Sequence, residues 1–234
     1  MPEAKSNFNF LKELAPLFFK KKEKLIIVLD DTLIKKIHSK KMCGSGYFYD
    51  TQAGRSILAY KMLCCGITDG RNFIPLKCEY LFSIDFKEEQ RPPKIEIIKQ
   101  MITEAKNIFS DKEIVVALDG AFATVEILTW LLKSGIYAEM RMHKNRKVFF
   151  NNKHQVLAEI KELQLKGRCK ARTIKVVWHE LALYITAHKR IDKHNEATIV
   201  YQVATYQAAP SEHVSNYKKR WPIEKMFRTS KQFL

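Results

Sequence analysis

Two short apolar runs, each followed at once by an aspartate, constrain the fold more than any other feature of the sequence. The first is Leu25–Leu29 before Asp30, and the second is Ile114–Leu118 before Asp119. Unbroken five-residue runs rich in β-branched side chains are typical of central strands that are buried on both faces. A carboxylate at the end of such a strand is costly unless it is solvated or meets a cation. The repeated arrangement predicts an α/β fold with an acid at the end of each of two buried strands.

The segments between and after these runs predict the remaining elements. Asp69-Gly70 lies between two strand-like runs, which is a good signal for a hairpin. Pro92-Pro93 marks a break before a helix, and Gly135 is a usual helix terminator. In chain order the sequence predicts a strand, a two-stranded hairpin, a helix, a strand, a helix and a strand, at residues 25–29, 56–67 with 72–83, 95–109, 114–118, 124–134 and 137–141.

The remaining stretches are a helix before the first strand, a basic loop and a β-rich region. Residues 7–22 read as a short N-terminal helix, and residues 35–52 are basic, contain glycines and are predicted to form a loop. Between about His143 and Pro210 the pattern changes to two long strand-like stretches, at residues 174–187 and 198–206, with a charged turn between them.

The C-terminal segment places polar residues at helical spacing. Tyr217, Arg220, Glu224 and Lys231 follow one another at intervals of three, four and seven residues. On one continuous helix, which advances about 100° per residue, they would form a single narrow stripe that Arg228 joins. Cations and a phenol suit a phosphate backbone, and a carboxylate can hold a hard cation. The alternative is a solvated helix face with an ion pair between Glu224 and Arg228.

Pro222 makes the geometry of this stripe uncertain. Proline removes an N–H group and clashes with the carbonyl four residues earlier. Either the helix kinks at Pro222, or it begins near that residue with Tyr217 and Arg220 on a preceding turn.

The spacing Tyr-x2-Arg-x3-Glu-x6-Lys, formed by Tyr217, Arg220, Glu224 and Lys231, resembles a motif of the DDE transposases of bacterial insertion sequences. The predicted order of elements also resembles the ribonuclease H-like fold of that family. The resemblance implies a mixed sheet flanked by helices, with a β-rich insertion before the last catalytic helix. It divides the chain into an N-terminal helix at residues 1–22, a catalytic core at residues 23–142 and 211–234, and an insertion at residues 143–210.

The resemblance also implies an active site. Asp30, Asp119 and Glu224 would be the catalytic and metal-binding carboxylates, holding two Mg²⁺ or Mn²⁺ ions for an in-line displacement at phosphorus. Asp31 is the alternative to Asp30, because adjacent strand residues point in opposite directions and the sequence does not show which one faces inward.

By the same resemblance, several basic residues and one tyrosine would bind DNA. The expected set is Tyr217, Arg220, Lys231, Arg141, Arg146 and Arg228. Some family members stack a flipped base on a tryptophan of the insertion, where this sequence has Trp178. Core packing is the stronger expectation for Trp178, and also for Trp130 and Trp221.

Composition agrees with a partner that is a polyanion. The net charge is +16 and the pI is about 9.6, which favours double-stranded DNA as the partner. No stretch approaches the roughly 18 apolar residues of a spanning helix, so no membrane role is expected. The five cysteines show no zinc spacing and are predicted to be reduced thiols. With the resemblance, these features imply a cytoplasmic, nucleoid-associated bacterial protein.

The leading functional hypothesis is therefore the catalytic region of an insertion-sequence transposase, a polynucleotidyl transferase that cleaves and joins DNA. The full-length enzyme would form a homodimer in its synaptic complex with transposon ends and target. Because only three residues follow Lys231, where family members usually continue, the resemblance predicts a C-terminally truncated chain. The alternatives are a truncated, inactive DNA-binding remnant and a ribonuclease H-like nuclease without strand transfer.

Overall fold

The computed structural model describes residues 13–19, 24–35, 45–50, 53–81, 93–191 and 195–232. Within these ranges the chain forms one mixed sheet of eleven strands and four α-helices. The predicted mixed sheet flanked by helices is confirmed. The strands are β1 (Leu25–Lys35), β2 (Gly46–Asp50), β3 (Arg55–Thr68), β4 (Phe73–Leu81), β5 (Ile114–Leu118), β6 (Ala138–Met142), β7 (Lys147–Phe150), β8 (Lys153–Val156), β9 (Ala171–Trp178), β10 (Leu181–Ile191) and β11 (Ala197–Ala204).

The four helices are α1 (Lys94–Ile108), α2 (Val125–Lys133), α3 (Pro210–Lys218) and α4 (Trp221–Gln232). The chain divides into two compact units. The first unit comprises Met1–Glu23, Ile27–Lys112 and Trp221–Leu234, and the second comprises Lys24–Ile26 and Glu113–Arg220. This division falls at other positions than the expected boundaries near residues 142 and 210, which stay predictions.

The first unit contains most of β1, strands β2 to β4 and helices α1 and α4. Its strands follow the order β2-β3-β1, and β4 pairs with the far part of β3. The predicted hairpin forms at Asp69-Gly70, where Asp69 Oδ1 accepts the N–H groups of Arg71 at 2.6 Å and Asn72 at 2.7 Å. Gly70 has φ +99°, a conformation that glycine adopts without steric cost.

The core of the first unit includes the apolar run of β1, whose residues Ile27–Leu29 are fully buried. Helix α1 buries Ile98, Met101, Ile102 and Ala105, as its 3.6-residue periodicity predicts. Cys64 and Cys78 lie opposite each other in the β3–β4 register and form a disulfide. The prediction of reduced thiols is therefore wrong for this pair. Cys65 and Cys169 do not form a disulfide, and Cys43 lies outside the described residues.

The second unit has the strand order β5-β6-β11-β10-β9-β7-β8. Strands β5 and β6 are parallel, and helix α2 connects them along the chain. Thr124 Oγ1 accepts the Ile127 N–H at 3.3 Å at the start of α2, and Gly135 follows its end with φ +60°. The other strand pairs of this unit are antiparallel.

Three local features differ from the predictions. The stretch at residues 174–187 is not one strand, because His179 and Glu180 take φ values of +46° and +66° and turn the chain from β9 into β10. The hairpin β7–β8 turns through Asn151 and Asn152, which also have positive φ. The predicted loop at residues 35–52 contains strand β2, and its residues 36–44 and 51–52 lie outside the described part.

The predicted N-terminal helix is helical where it is described, at residues 13–18. Its described part includes a 3-10 helix at Ala15–Phe18, and residues 7–12 and 20–22 of the prediction lie outside the described residues.

The C-terminal segment is two helices, not one. Helix α3 ends at Lys218, residues Lys219 and Arg220 form a turn, and α4 begins at Trp221. Pro222 lies in the first turn of α4, where its missing N–H group costs nothing. The expected single polar stripe is therefore wrong as a continuous helix face. The alternative in which the helix of Glu224 begins near Pro222 is confirmed, with Arg220 on the preceding turn; Tyr217 lies not on that turn but on α3.

Candidate active site

The first unit contributes Asp30 and Asp31, which lie within β1 because the strand continues to Lys35. Asp31 Oδ2 lies 2.6 Å from Lys94 Nζ and 3.3 Å from Lys61 Nζ. Adjacent strand residues point to opposite faces, so Asp30 points away from the face on which these lysines hold Asp31. Both carboxylates are half-buried. Asp31 is thus engaged by two lysines, and the choice of Asp30 as a site residue stays a prediction.

Helix α4 contributes Glu224, Arg228 and Lys231, which are spaced at four and three residues and share one side of the helix. Ile223 and Phe227 are buried on another side. Glu224 is half-exposed, whereas Arg228 and Lys231 are exposed. The amphipathic pattern explains why the charged side of α4 remains available to a polar partner.

Lys231 lies within electrostatic reach of Asp30 in the same unit. Partial loss of solvent around its ammonium group, followed by the positive charge of Lys35, lowers the pKa of Lys231, and the charges of Asp50 and Asp30 act in the opposite direction. Asp50 is only 5% exposed and forms an ion pair with Lys35. Nothing in the sequence singles out Asp50, because its segment is predicted to be a loop.

The second unit contributes Asp119, which directly follows β5 and precedes a 3-10 turn at Gly120–Phe122. A Cβ atom added to Gly120 would lie 3.0 Å from the carbonyl oxygen of Arg141. The missing side chain at position 120 thus lets the turn pack directly against the backbone of β6. This contact fixes the backbone next to Asp119 relative to the backbone of Arg141.

Tyr217 is the centre of a charged group in the second unit. The pKa of Tyr217 is raised to about 12, with burial as the largest cause; the charge of Asp119 acts in the same direction, and the charges of Arg220 and Arg141 act in the opposite direction. The Arg220 guanidinium carbon lies 5.7 Å from the centre of the Tyr217 ring. The structure therefore brings together four of the predicted site residues: Asp119, Arg141, Tyr217 and Arg220.

His188 on β10 belongs to the same region and is not among the residues predicted from the sequence. Burial lowers the pKa of His188, and the positive charges of Lys218, Arg190 and Arg141 lower it further. A histidine in a strand carries no sequence signal of this kind. Its position beside three cations is visible only in the folded chain.

Arg146 and Trp178 contact each other in the β-rich region. The Arg146 guanidinium carbon lies 5.6 Å from the centre of the Trp178 ring, a cation–π distance. Trp178 is buried, which confirms that it packs in the core. Trp221 is 48% exposed, so the expectation that it is a core residue is wrong.

The family of the chain follows from comparison with known proteins. The family model described as "Transposase DDE domain" matches residues 21–234. The chain belongs to the DDE transposase domain family. Proteins of this family act on DNA as nucleases and polynucleotidyl transferases. The matched residues include all three carboxylates predicted for the site.

The DDE domain is also similar to a solved structure, that of the NurA nuclease from Sulfolobus solfataricus. The similarity has a TM-score of 0.38 and 9% sequence identity, over 84% of this chain and 72% of that chain. No curated protein matches the chain.

DDE transposases and nucleases in general use divalent metal ions. Within the described ranges, no group of three or more His, Cys, Asp or Glu side chains is placed to hold a metal ion. The three predicted carboxylates are divided between the units, with Asp30 and Glu224 in the first and Asp119 in the second. Their chemistry fits Mg²⁺ or Mn²⁺, since hard cations prefer oxygen ligands. No helix among the described residues is long and apolar enough to cross a membrane.

Proposed function

We propose that this DDE domain cleaves DNA strands at the ends of a bacterial insertion sequence and joins them to a target, with the help of divalent metal ions. The observation that supports this most strongly is the group in the second unit, where Tyr217 lies within electrostatic reach of Asp119, Arg220 and Arg141. The tyrosine and arginine of the C-terminal motif thus lie near the second aspartate of the proposed catalytic set.

Asp30, Asp119 and Glu224 are the proposed ligands of two Mg²⁺ or Mn²⁺ ions. When bound, such ions stabilise the negative charge that develops during an in-line displacement at phosphorus. The contribution of the chain is to present carboxylate oxygens from β1, from the end of β5 and from α4.

The proposed DNA contacts are made by cations around these carboxylates. In the second unit Arg141 and Arg220 would bind phosphate oxygens through charge-assisted hydrogen bonds, and Tyr217 would donate its hydroxyl. Because the pKa of Tyr217 is raised to about 12, with burial as the largest cause, its hydroxyl keeps its proton at neutral pH and can donate. In the first unit Arg228 and Lys231 would contact DNA from α4, and Arg146 is proposed as a further contact.

The proposed partners are double-stranded DNA from the element ends and the target, together with a second copy of the transposase in a synaptic complex. The setting we propose is the bacterial cytoplasm, in association with the nucleoid. The net charge of +16 supports DNA as a partner, since basic proteins release counterions from DNA on binding.

A two-stage assay with Mn²⁺ tests the proposed function. The first stage measures nicking of a supercoiled plasmid by the wild type, Asp119→Asn and Glu224→Gln. The second measures joining of a pre-cut 3′ end to target DNA. We expect nicking by the wild type, loss of nicking in both variants, and joining by the wild type. Nicking without joining would indicate a nuclease without strand transfer, and DNA binding without nicking would indicate an inactive remnant.

A further inference from the structure

A buried carboxylate that has no place in the proposed metal site lies where β6 meets α3. Glu139 is only 1% exposed. Its Oε1 atom accepts the Tyr206 hydroxyl at 2.5 Å and the Asn216 side-chain amide at 3.3 Å, and it lies 3.0 Å from Nδ1 of His213. The Asn216 amide also donates to the Tyr206 hydroxyl at 3.0 Å. A carboxylate buried this deeply is stable only with such partners.

Helix α3 depends on this network to an unusual degree. Its buried residues are His213 and Asn216, and both are polar members of the network. A helix on a sheet is ordinarily held by an apolar stripe. Helix α3 is instead held by hydrogen bonds to Glu139 and by the ion pair of Glu212 with Lys24 at 2.6 Å.

Strand β6 and helix α3 also carry two of the proposed DNA contacts, Arg141 and Tyr217. Arg141 follows Glu139 by two residues, so both side chains point to the same face of β6. Tyr217 follows His213 by four residues, so both lie on the same side of α3. The distance from Glu139 to Arg141 is about 6.6 Å along the strand, and the distance from His213 to Tyr217 is about 6 Å along the helix. Glu139 and His213 thus join the strand to the helix, and the next pair along, Arg141 and Tyr217, lies within electrostatic reach of each other.

We propose that Glu139 is a positioning residue for DNA recognition, which acts through His213 and Asn216 to hold Tyr217 beside Arg141. The inference rests on the proposed DNA contacts of the previous section and adds a residue that touches neither the DNA nor the metal. Without the carboxylate, α3 loses the acceptor shared by its two buried side chains. Tyr217 then no longer faces the phosphate that Arg141 binds.

The test measures affinity for double-stranded DNA and its dependence on salt concentration, in the whole chain, for Glu139→Ala and for the conservative Glu139→Gln. We expect Glu139→Ala to bind DNA roughly tenfold or more weakly. The slope of log K against log salt should become less steep by about 0.9 for each phosphate that the protein no longer neutralises. Glu139→Gln keeps an oxygen acceptor and should recover most of the affinity. A residue that only stabilised the fold would leave the slope unchanged in the folded protein.

Two further variants make the result specific. Thr68→Val is the matched control, because Thr68 is a fully buried polar residue of the first unit with hydrogen bonds to Asn72 and Gly70. It should lower stability and leave DNA binding unchanged. In the double variant Glu139→Ala with Tyr217→Phe, the loss of affinity should be no greater than that of the stronger single variant.

Each outcome decides between the proposals. Unchanged affinity and slope in folded Glu139→Ala, or additive losses in the double variant, would overturn the positioning role and leave the proposed function intact. If Tyr217→Phe, Arg141→Ala and Arg220→Ala each bind DNA as the wild type does, the proposed DNA contacts are wrong and the positioning role falls with them. If Glu139→Ala does not fold, Tyr206→Phe decides by the same measurements, since it removes one donor and keeps the ring contacts with Tyr137 and His213.

Discussion

The carboxylate of Asp31 lies 2.6 Å from Lys94 Nζ, which ties strand β1 to the first turn of helix α1. Lys61 approaches the same oxygen at 3.3 Å. Asp31 therefore serves a structural role on one face of the strand, and the neighbouring Asp30 points to the other. This ion pair distinguishes two adjacent aspartates that are equivalent in the sequence.

Substitution of these two aspartates should have opposite consequences. We expect Asp30→Asn to lower Mn²⁺-dependent DNA nicking at least a hundredfold, since a metal ion supplies several kcal/mol of transition-state stabilisation. Asp31→Asn should lower the free energy of unfolding by about 1 kcal/mol or less, as partly exposed ion pairs do, and leave nicking within about threefold of wild type. The measurements are plasmid nicking and thermal unfolding. The reverse order of activities would assign the ligand role to Asp31.

Loss of the motif arginine should weaken DNA binding in a salt-dependent way. We expect Arg220→Ala to reduce the slope of log K against log salt by about 1, which corresponds to one phosphate contact. Arg172→Ala is the matched control, because it removes the same charge from an exposed arginine of the same unit that donates to the Glu162 carbonyl. Fluorescence anisotropy at several salt concentrations provides both slopes. Equal slopes for the two variants would show that Arg220 acts through net charge alone.

Gly120→Ala should disturb the site through the backbone. The new Cβ would lie 3.0 Å from the Arg141 carbonyl oxygen, and overpacking of this kind costs about 1–3 kcal/mol. Gly135→Ala is the control. A Cβ atom at position 135 would meet no other atom, but alanine in the left-handed conformation of that residue, with φ +60°, costs about 1–2 kcal/mol. Both variants should unfold at lower temperature, and only Gly120→Ala should also reduce nicking. Unimpaired nicking by Gly120→Ala would mean that this contact does not position Asp119.

Acidification should destabilise the chain partly through His188. Burial and three neighbouring cations lower its pKa in the folded state below the ordinary value of 6.5. The unfolded state therefore binds a proton first as the pH falls, so the stability contribution is present above pH 6.5 and is lost below it. We expect the melting temperature to fall between about pH 7.5 and pH 5.5, and to fall less in His188→Gln. An equal fall in both proteins would contradict the assignment.

Much of the fold is predictable because local signals and burial agree. The apolar runs of β1 and β5, the Asp69-Gly70 turn and the helix after Pro92-Pro93 each carry a strong local preference, and each is confirmed. The turn at His179 and Glu180 escapes prediction because positive φ is uncommon outside glycine and Glu180 carries no signal for it. The turn at Asn151 and Asn152 was missed although asparagine tolerates that conformation, which was the available signal.

The sequence predicts which elements carry the individual site residues, but it does not predict which residues lie next to one another in the folded chain. The sequence places Asp119 after a buried strand and Glu224 on a helix, and the structure has both there. Glu139, His188 and Asp50 escape notice because their significance comes from neighbours far away in the chain. That Asp30, Asp119 and Glu224 act together at one metal site stays a prediction.

Calorimetric titration with Mn²⁺ tests that prediction most directly. The proteins are the wild type, the three single variants Asp30→Asn, Asp119→Asn and Glu224→Gln, and Asp31→Asn as control. If the three carboxylates share one site, each of the first three variants should weaken Mn²⁺ binding roughly tenfold or more, and Asp31→Asn should bind as the wild type does. Mn²⁺ binding that is unaffected by Asp119→Asn, or by both Asp30→Asn and Glu224→Gln, would contradict one metal site held by these three carboxylates.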